Sequence, residues 1–178
     1  MTKSAIFLVA LLLMGQAVFS EELNSTRFDT EKKWLIRYPS TWSELPLTKD
    51  EKLEAVRFKA LSEDQKMGLQ VLVFDTQEEG RANDFLRALE SELGSKSKFP
   101  RDMETLNYLE TRDMGAETGA IGFFVINTPE EEIGNITLVL TKNTTFYVIT
   151  ELFVPGIEKE KVSLLKHILA SFKILSSI

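Results

Sequence analysis

Phe146-Tyr-Val-Ile-Thr-Glu-Leu-Phe153 is a strand with apolar residues on both sides. Successive strand residues point to opposite faces, so Phe146, Val148 and Leu152 share one side and Tyr147, Ile149 and Phe153 the other. A strand of this kind needs cover on both faces. Ile121-Gly-Phe-Phe-Val-Ile126 and Leu69-Gln-Val-Leu-Val-Phe74 repeat the pattern. Two helical stretches can supply that cover. In the first, opened by Gly80-Arg-Ala-Asn-Asp84 with Asn83 or Asp84 as the cap, Phe85, Leu86, Leu89 and Leu93 form one stripe, and Gly94 stops it. In the last, Val162, Leu164, Leu165, Ile168, Leu169 and Phe172 fall on one face, with Lys166, His167 and Ala170 opposite. The expected fold is therefore α+β. It is a three-layer α/β/α sandwich with a mostly antiparallel central sheet and one main helix on each face.

The remaining segments fill in around this frame. Arg27-Phe-Asp29 reads as a short strand, and Trp34-Leu-Ile-Arg-Tyr38 as a strand that Pro39 ends. Residues 43–54 read as a surface loop or one helical turn. Ala55 to Ala60 and Gly68 to Asp75 form a hairpin around a polar turn. Residues 95–103 make a basic exposed loop, and Glu104 to Met114 a weakly alternating strand. Gly119 to Asn127 is a strong strand that leads through the acidic loop Thr128-Pro-Glu-Glu-Glu132 into Ile133–Thr141. That strand then turns at Lys142-Asn143 into the opening stretch, since Asn tolerates the left-handed backbone of a tight turn.

The N-terminus has another character. Lys3 precedes an apolar run from Ala5 to Met14, followed by Gly15-Gln-Ala-Val-Phe-Ser20 and then Glu21-Glu22. These are the parts of a secretory signal peptide, and the run falls short of the roughly 20 residues a spanning helix needs. Cleavage is expected after Ser20, leaving residues 21–178 as a single domain. Removing residues 1–20, with their one Lys, takes the net charge from −6 to −7. An acidic surface with scattered Lys and Arg offers no footprint for nucleic acid or anionic lipid. The chain has no cysteine, which in an exported protein favours a bacterial periplasm and a core that is stable without disulfides. The expected localisation is periplasmic or secreted, with no stable membrane insertion after cleavage.

The order of four strands, a helix, four strands and a helix resembles the Mog1/PsbP-like superfamily. The residues that carry the resemblance are Trp34-Leu-Ile-Arg-Tyr-Pro-Ser-Thr-Trp42 near the mature N-terminus and Ile168-Leu-Ala-Ser-Phe-Lys-Ile174 at the end. The resemblance implies a fold and a class of accessory or binding proteins, which includes photosystem extrinsic subunits, a GTPase cofactor, bacterial envelope proteins and secretion chaperones. The metal-binding histidines associated with the photosystem subunits have no counterpart here, because the sole histidine is His167.

Catalytic signatures are sparse. His167 falls on the outward side of the last helix, and no Gly-x-Ser-x-Gly elbow accompanies it. One histidine without cysteine leaves almost no ligand set for zinc or copper. Asp75-Thr-Gln-Glu-Glu79 and Glu130-Glu-Glu132 lack the spacing of a calcium-binding loop and read as solvated. Gly115-Ala-Glu-Thr-Gly119 lacks the strand–loop–helix setting of a phosphate cradle. The expectation is thus a chain that is not an enzyme, with no catalytic, cofactor or metal site, that binds or assists another envelope protein. Trp42, Phe99, Arg101, Glu130, Glu131 and Glu132 are the candidate partner contacts, on or near the loops at 43–54, 95–103 and 128–132. A lid packed over the sheet is the other reading of Trp42. The alternative function is a small-molecule or lipid carrier with an apolar cleft between sheet and helix.

Overall fold

Strands β5 (Met67–Asp75) and β10 (Thr145–Phe153) pair antiparallel at the centre of the molecule, and their two-sided sequences fill two separate cores. In this computed structural model, residues 23–93, 97–98, 103–127, 132–154, 156 and 159–175 are described. The expected signal peptide lies outside them. Among the described residues, an eight-stranded antiparallel sheet runs β3 (Ser43–Glu44), β4 (Val56–Leu61), β5, β10, β9 (Glu132–Lys142), β8 (Thr118–Asn127) and β6 (Ser97–Lys98). The eighth strand, β7 (Met103–Thr105), also pairs with β8. Asn143, at φ 53°, takes the left-handed position in the two-residue turn between β9 and β10.

One face of this sheet holds Ala120, Phe124, Val139, Phe146 and Val148 against Ala82 and Leu86 of α2 (Ala82–Leu93). Phe74, Phe85 and Phe146 meet there with ring centroids 5.5–5.8 Å apart, within the range at which aromatic rings attract.

The opposite face differs from the expectation of one covering helix. Its core joins Leu69, Val71, Val73, Ile136, Leu138, Leu140 and Ile149 to Leu164, Leu165, Ile168 and Leu169 of α4 (Lys159–Ala170), and also to Trp34 and Ile36. The last two belong to β2 (Trp34–Tyr38), which lies in a second, three-stranded antiparallel sheet, β1 (Ser25–Asp29), β2 and β11 (Lys173–Ile174). The physical reason is legible in β2: Trp34, Ile36 and Tyr38 are buried, while Arg37 is exposed. A strand apolar on one side closes a core from outside and does not sit in its middle.

The two sequence segments that carry the family resemblance meet at this point. Trp34 stacks on Phe172 with ring centroids 5.6 Å apart. Ser171 Oγ accepts from the Arg37 N–H at 2.9 Å and donates to Ile168 O at 2.6 Å, which ends α4 and docks it on β2. Trp42 is 6 % exposed and lies in the same core.

Local signals explain the remaining segments. Residues 43–54 contain β3 and the helix α1 (Lys49–Leu53), which Thr48 and Glu51 cap reciprocally. Glu104 to Met114 is not a single strand. After β7 it becomes the helix α3 (Tyr108–Asp113), because Asn107 accepts from the Leu109 and Glu110 amides while the Glu110 carboxylate accepts from the Asn107 N–H.

Candidate functional site

The start of α2 is fixed from across the sheet. The Ala82 N–H donates to Thr118 Oγ1 at 3.0 Å, and Thr118 Oγ1 in turn lies 2.7 Å from Thr141 Oγ1. The cap expected from Asn83 or Asp84 is therefore supplied by β8, and both residues fall inside the first turn. The Asp84 and Phe85 amides close on Arg81 O. Freed from capping, the Asn83 and Asp84 side chains face a cleft of about 490 Å³ between α2 and the β7–β8 strands. Arg81, Asn83, Asp84 and Arg87 form one wall, and Thr105, Thr118 and Gly119 form the other. Arg81, Asp84 and Arg87 are exposed, and none of them makes an ion pair with another described residue. By contrast Arg27 and Arg57 are bound to Glu44 and Glu31. The surface inside the cleft is mainly apolar, and the exposed Arg81, Asp84 and Arg87 add two guanidinium forks and a carboxylate to its wall.

A second feature lies inside the protein. Glu151 of β10 is 0 % exposed, and neither of its carboxylate oxygens has a hydrogen-bond partner. It sits between Leu69 of β5 and Ile136 of β9. Burial pushes its pKa well above the ordinary carboxylate value, and no charged neighbour contributes. The sequence reading missed this residue. The signal was strand parity, which puts Glu151 on the same side as Tyr147, Ile149 and Phe153, among core side chains.

The residues singled out from sequence are scattered. Trp42 is buried in the core. Glu132 is exposed at the start of β9, opposite Asn127. Phe99, Arg101, Glu130 and Glu131 lie outside the described residues. His167 is on the exposed side of α4, its Nδ1 2.7 Å from Ser163 O. Asp75 accepts from Lys32 Nζ at 2.8 Å and from Thr145 Oγ1 at 2.7 Å. The Lys32 contact is the main cause of its lowered pKa. Among the described residues no group of three or more His, Asp or Glu side chains is placed to hold a metal, and no helix is long and apolar enough to cross a membrane.

The fold has a counterpart among solved structures. The solution structure of cyanobacterial PsbP (CyanoP) from Synechocystis sp. PCC 6803 superposes with a TM-score of 0.63, covering 85 % of this chain and 92 % of that one, at 12 % identity. The chain has a PsbP-like fold. A crystal structure from Bacteroides thetaiotaomicron VPI-5482 matches 87 % of the chain with a TM-score of 0.57 at 10 % identity. The present chain spans half the length of that protein. No family model and no curated protein matches the sequence.

Proposed function

We propose that this chain is an exported, non-catalytic accessory protein of the cell envelope, and that it binds another envelope protein at the α2 cleft. The observation that carries the reading is the set of Arg81, Asn83, Asp84 and Arg87 side chains, gathered at one cleft without ion-pair partners among the described residues. Charged groups left open on a rigid frame are suited to recognition, and the cleft pairs no nucleophile with a base: the Thr118 hydroxyl is already engaged by Ala82 and Thr141. The PsbP-like fold and the signal-peptide pattern of residues 1–20 support the same reading. In it the molecule is a three-layer sandwich whose outer layers are α2 on one side and α4 with the small sheet on the other.

The test is site-specific photocrosslinking in cells, with the reactive side chain at position 105 on the opposite wall of the cleft and a control at Lys49 in α1. A discrete crosslinked protein at position 105 that is absent at position 49 is the expected result. Equal labelling at the two positions, or none at either, counts against the proposal.

The carrier alternative draws on the same cleft, which lies between a helix and the sheet and whose volume falls within the range of small-molecule sites. Native mass spectrometry of purified protein separates the two readings, because a carrier retains a stoichiometric small molecule.

A further inference from the structure

The α2 cleft is not a helix-terminus anion site, since the Ala82, Asp84 and Phe85 amides are already taken by Thr118 and Arg81 O. Whatever it recognises is recognised by side chains. Arg81 and Arg87 each carry a planar fork of donors that matches a carboxylate, and neither is neutralised by a neighbour among the described residues, although acidic residues outnumber basic ones in the chain, 27 to 21. Asp84 stands in the same wall. Its negative charge opposes a compact phosphate dianion more than single carboxylates spaced along a chain, and it accepts well from the N–H groups of a peptide. Asn83 offers both a donor and an acceptor, which is the pattern of a main-chain amide. Two forks for carboxylates with two groups for the backbone between them describe an extended acidic peptide better than a compact anion.

We propose that the cleft is a recognition groove for an acidic segment of the partner protein, with Arg81 and Arg87 each taking an Asp or Glu side chain and Asn83 and Asp84 reading the peptide backbone. This rests on the reading of the cleft as the partner site. It assigns the partner's chemistry: carboxylates on side chains, in a stretch long enough to reach both arginines.

The probe is a fluorescein-labelled twelve-residue peptide of alternating Glu and Ser, amidated at its C-terminus so that only side-chain carboxylates are present. A second peptide has Gln in place of Glu. Fluorescence anisotropy against the full mature protein is expected to show binding of the Glu peptide and roughly tenfold or weaker binding of the Gln peptide. Arg81→Gln and Arg87→Gln are each expected to weaken the Glu peptide by roughly tenfold, with binding that falls as salt rises. Arg37→Gln, an exposed arginine on β2, leaves it unchanged. All three positions are exposed, and an unchanged urea midpoint confirms that each variant folds.

Equal binding of the Glu and Gln peptides, or full binding to the double variant R81Q/R87Q, overturns the proposal. So does displacement by inorganic phosphate at concentrations at which the peptide itself binds, which would make the site a phosphate site. A crosslinked partner at position 105 together with no acidic-peptide binding removes this inference alone. The absence of any position-specific crosslink removes the partner reading beneath it.

Discussion

Replacing Glu151 by Gln will stabilise the protein at neutral pH, against the usual cost of changing a fully buried residue. The side chain is 0 % exposed, and both carboxylate oxygens lack partners. An ionised, unpaired carboxylate in apolar surroundings is far costlier than a neutral one, so burial holds its pKa well above the ordinary 4.5. The folded state keeps a proton that the unfolded chain releases. The stability linked to this group is complete below pH 4.5 and is lost as pH rises through the folded-state value. Between the unfolded and folded values each pH unit removes about 1.4 kcal/mol, the slope of one proton exchanged on unfolding. Gln has nearly the same shape, leaves a similar polar group unpaired, and does not titrate. Urea unfolding of wild type and E151Q in half-unit steps from pH 4 to pH 8 isolates the titration. The stability difference will change little below pH 4.5 and move towards Gln above it, with a slope that approaches about 1.4 kcal/mol per pH unit. A difference that stays flat across the range would refute the reasoning, because Glu151 would then exchange no proton on unfolding.

Three further outcomes are expected. Thr118→Val removes the acceptor for the Ala82 amide and the link to Thr141, and will lower stability by about 1–2 kcal/mol; faster hydrogen exchange at the Ala82 amide localises the loss to the start of α2. Gly115 has φ 76°, and a Cβ there would meet the carbonyl oxygen of Ile174. Gly115→Ala will therefore lower stability by about 1–3 kcal/mol, read as a shifted urea midpoint at constant slope. Asn107→Ala opens the capping box of α3 and will cost about 1 kcal/mol, measured in the same way.

The layering of this fold could be read from alternation because burial on both sides of a strand leaves a direct trace in composition. Phe146 to Phe153 shows it: Phe146 and Val148 enter one core, and Tyr147, Ile149 and Phe153 join the other. The outward side of α4 was legible for the same reason: Leu164, Leu165, Ile168 and Leu169 are buried while Lys166, His167 and Ala170 are exposed. Membership of β2 in a separate sheet was not legible. Its pattern states that one side is buried but not which sheet lies across the core. Residues 107–113 were misread for another reason. Three or four alternating residues mimic a strand, and the Asn107-x-x-Glu110 box that decides for a helix is a polar signal which a search for apolar periodicity passes over.

The cleft lay beyond sequence reading because no single segment contains it. Its walls come from residues 81–87, Thr105 and the pair Thr118-Gly119, brought together only when β7 pairs with β8 and α2 lies across that sheet. Thr118 also explains why the arginine wall is open. A helix that begins with Arg-Ala-Asn-Asp would ordinarily spend Asn83 or Asp84 on its own free amides. Here the sheet supplies the acceptor, and the two side chains are left facing outward beside Arg81 and Arg87. Glu151 shows the converse. Parity alone put a carboxyl into the core, yet its meaning depends on the absence of a partner across β5 and β9, which only the three-dimensional register reveals. The two polar features thus arise from opposite uses of the same sheet. A hydroxyl on β8 releases side chains to the surface, while β10 holds an acid where nothing answers it.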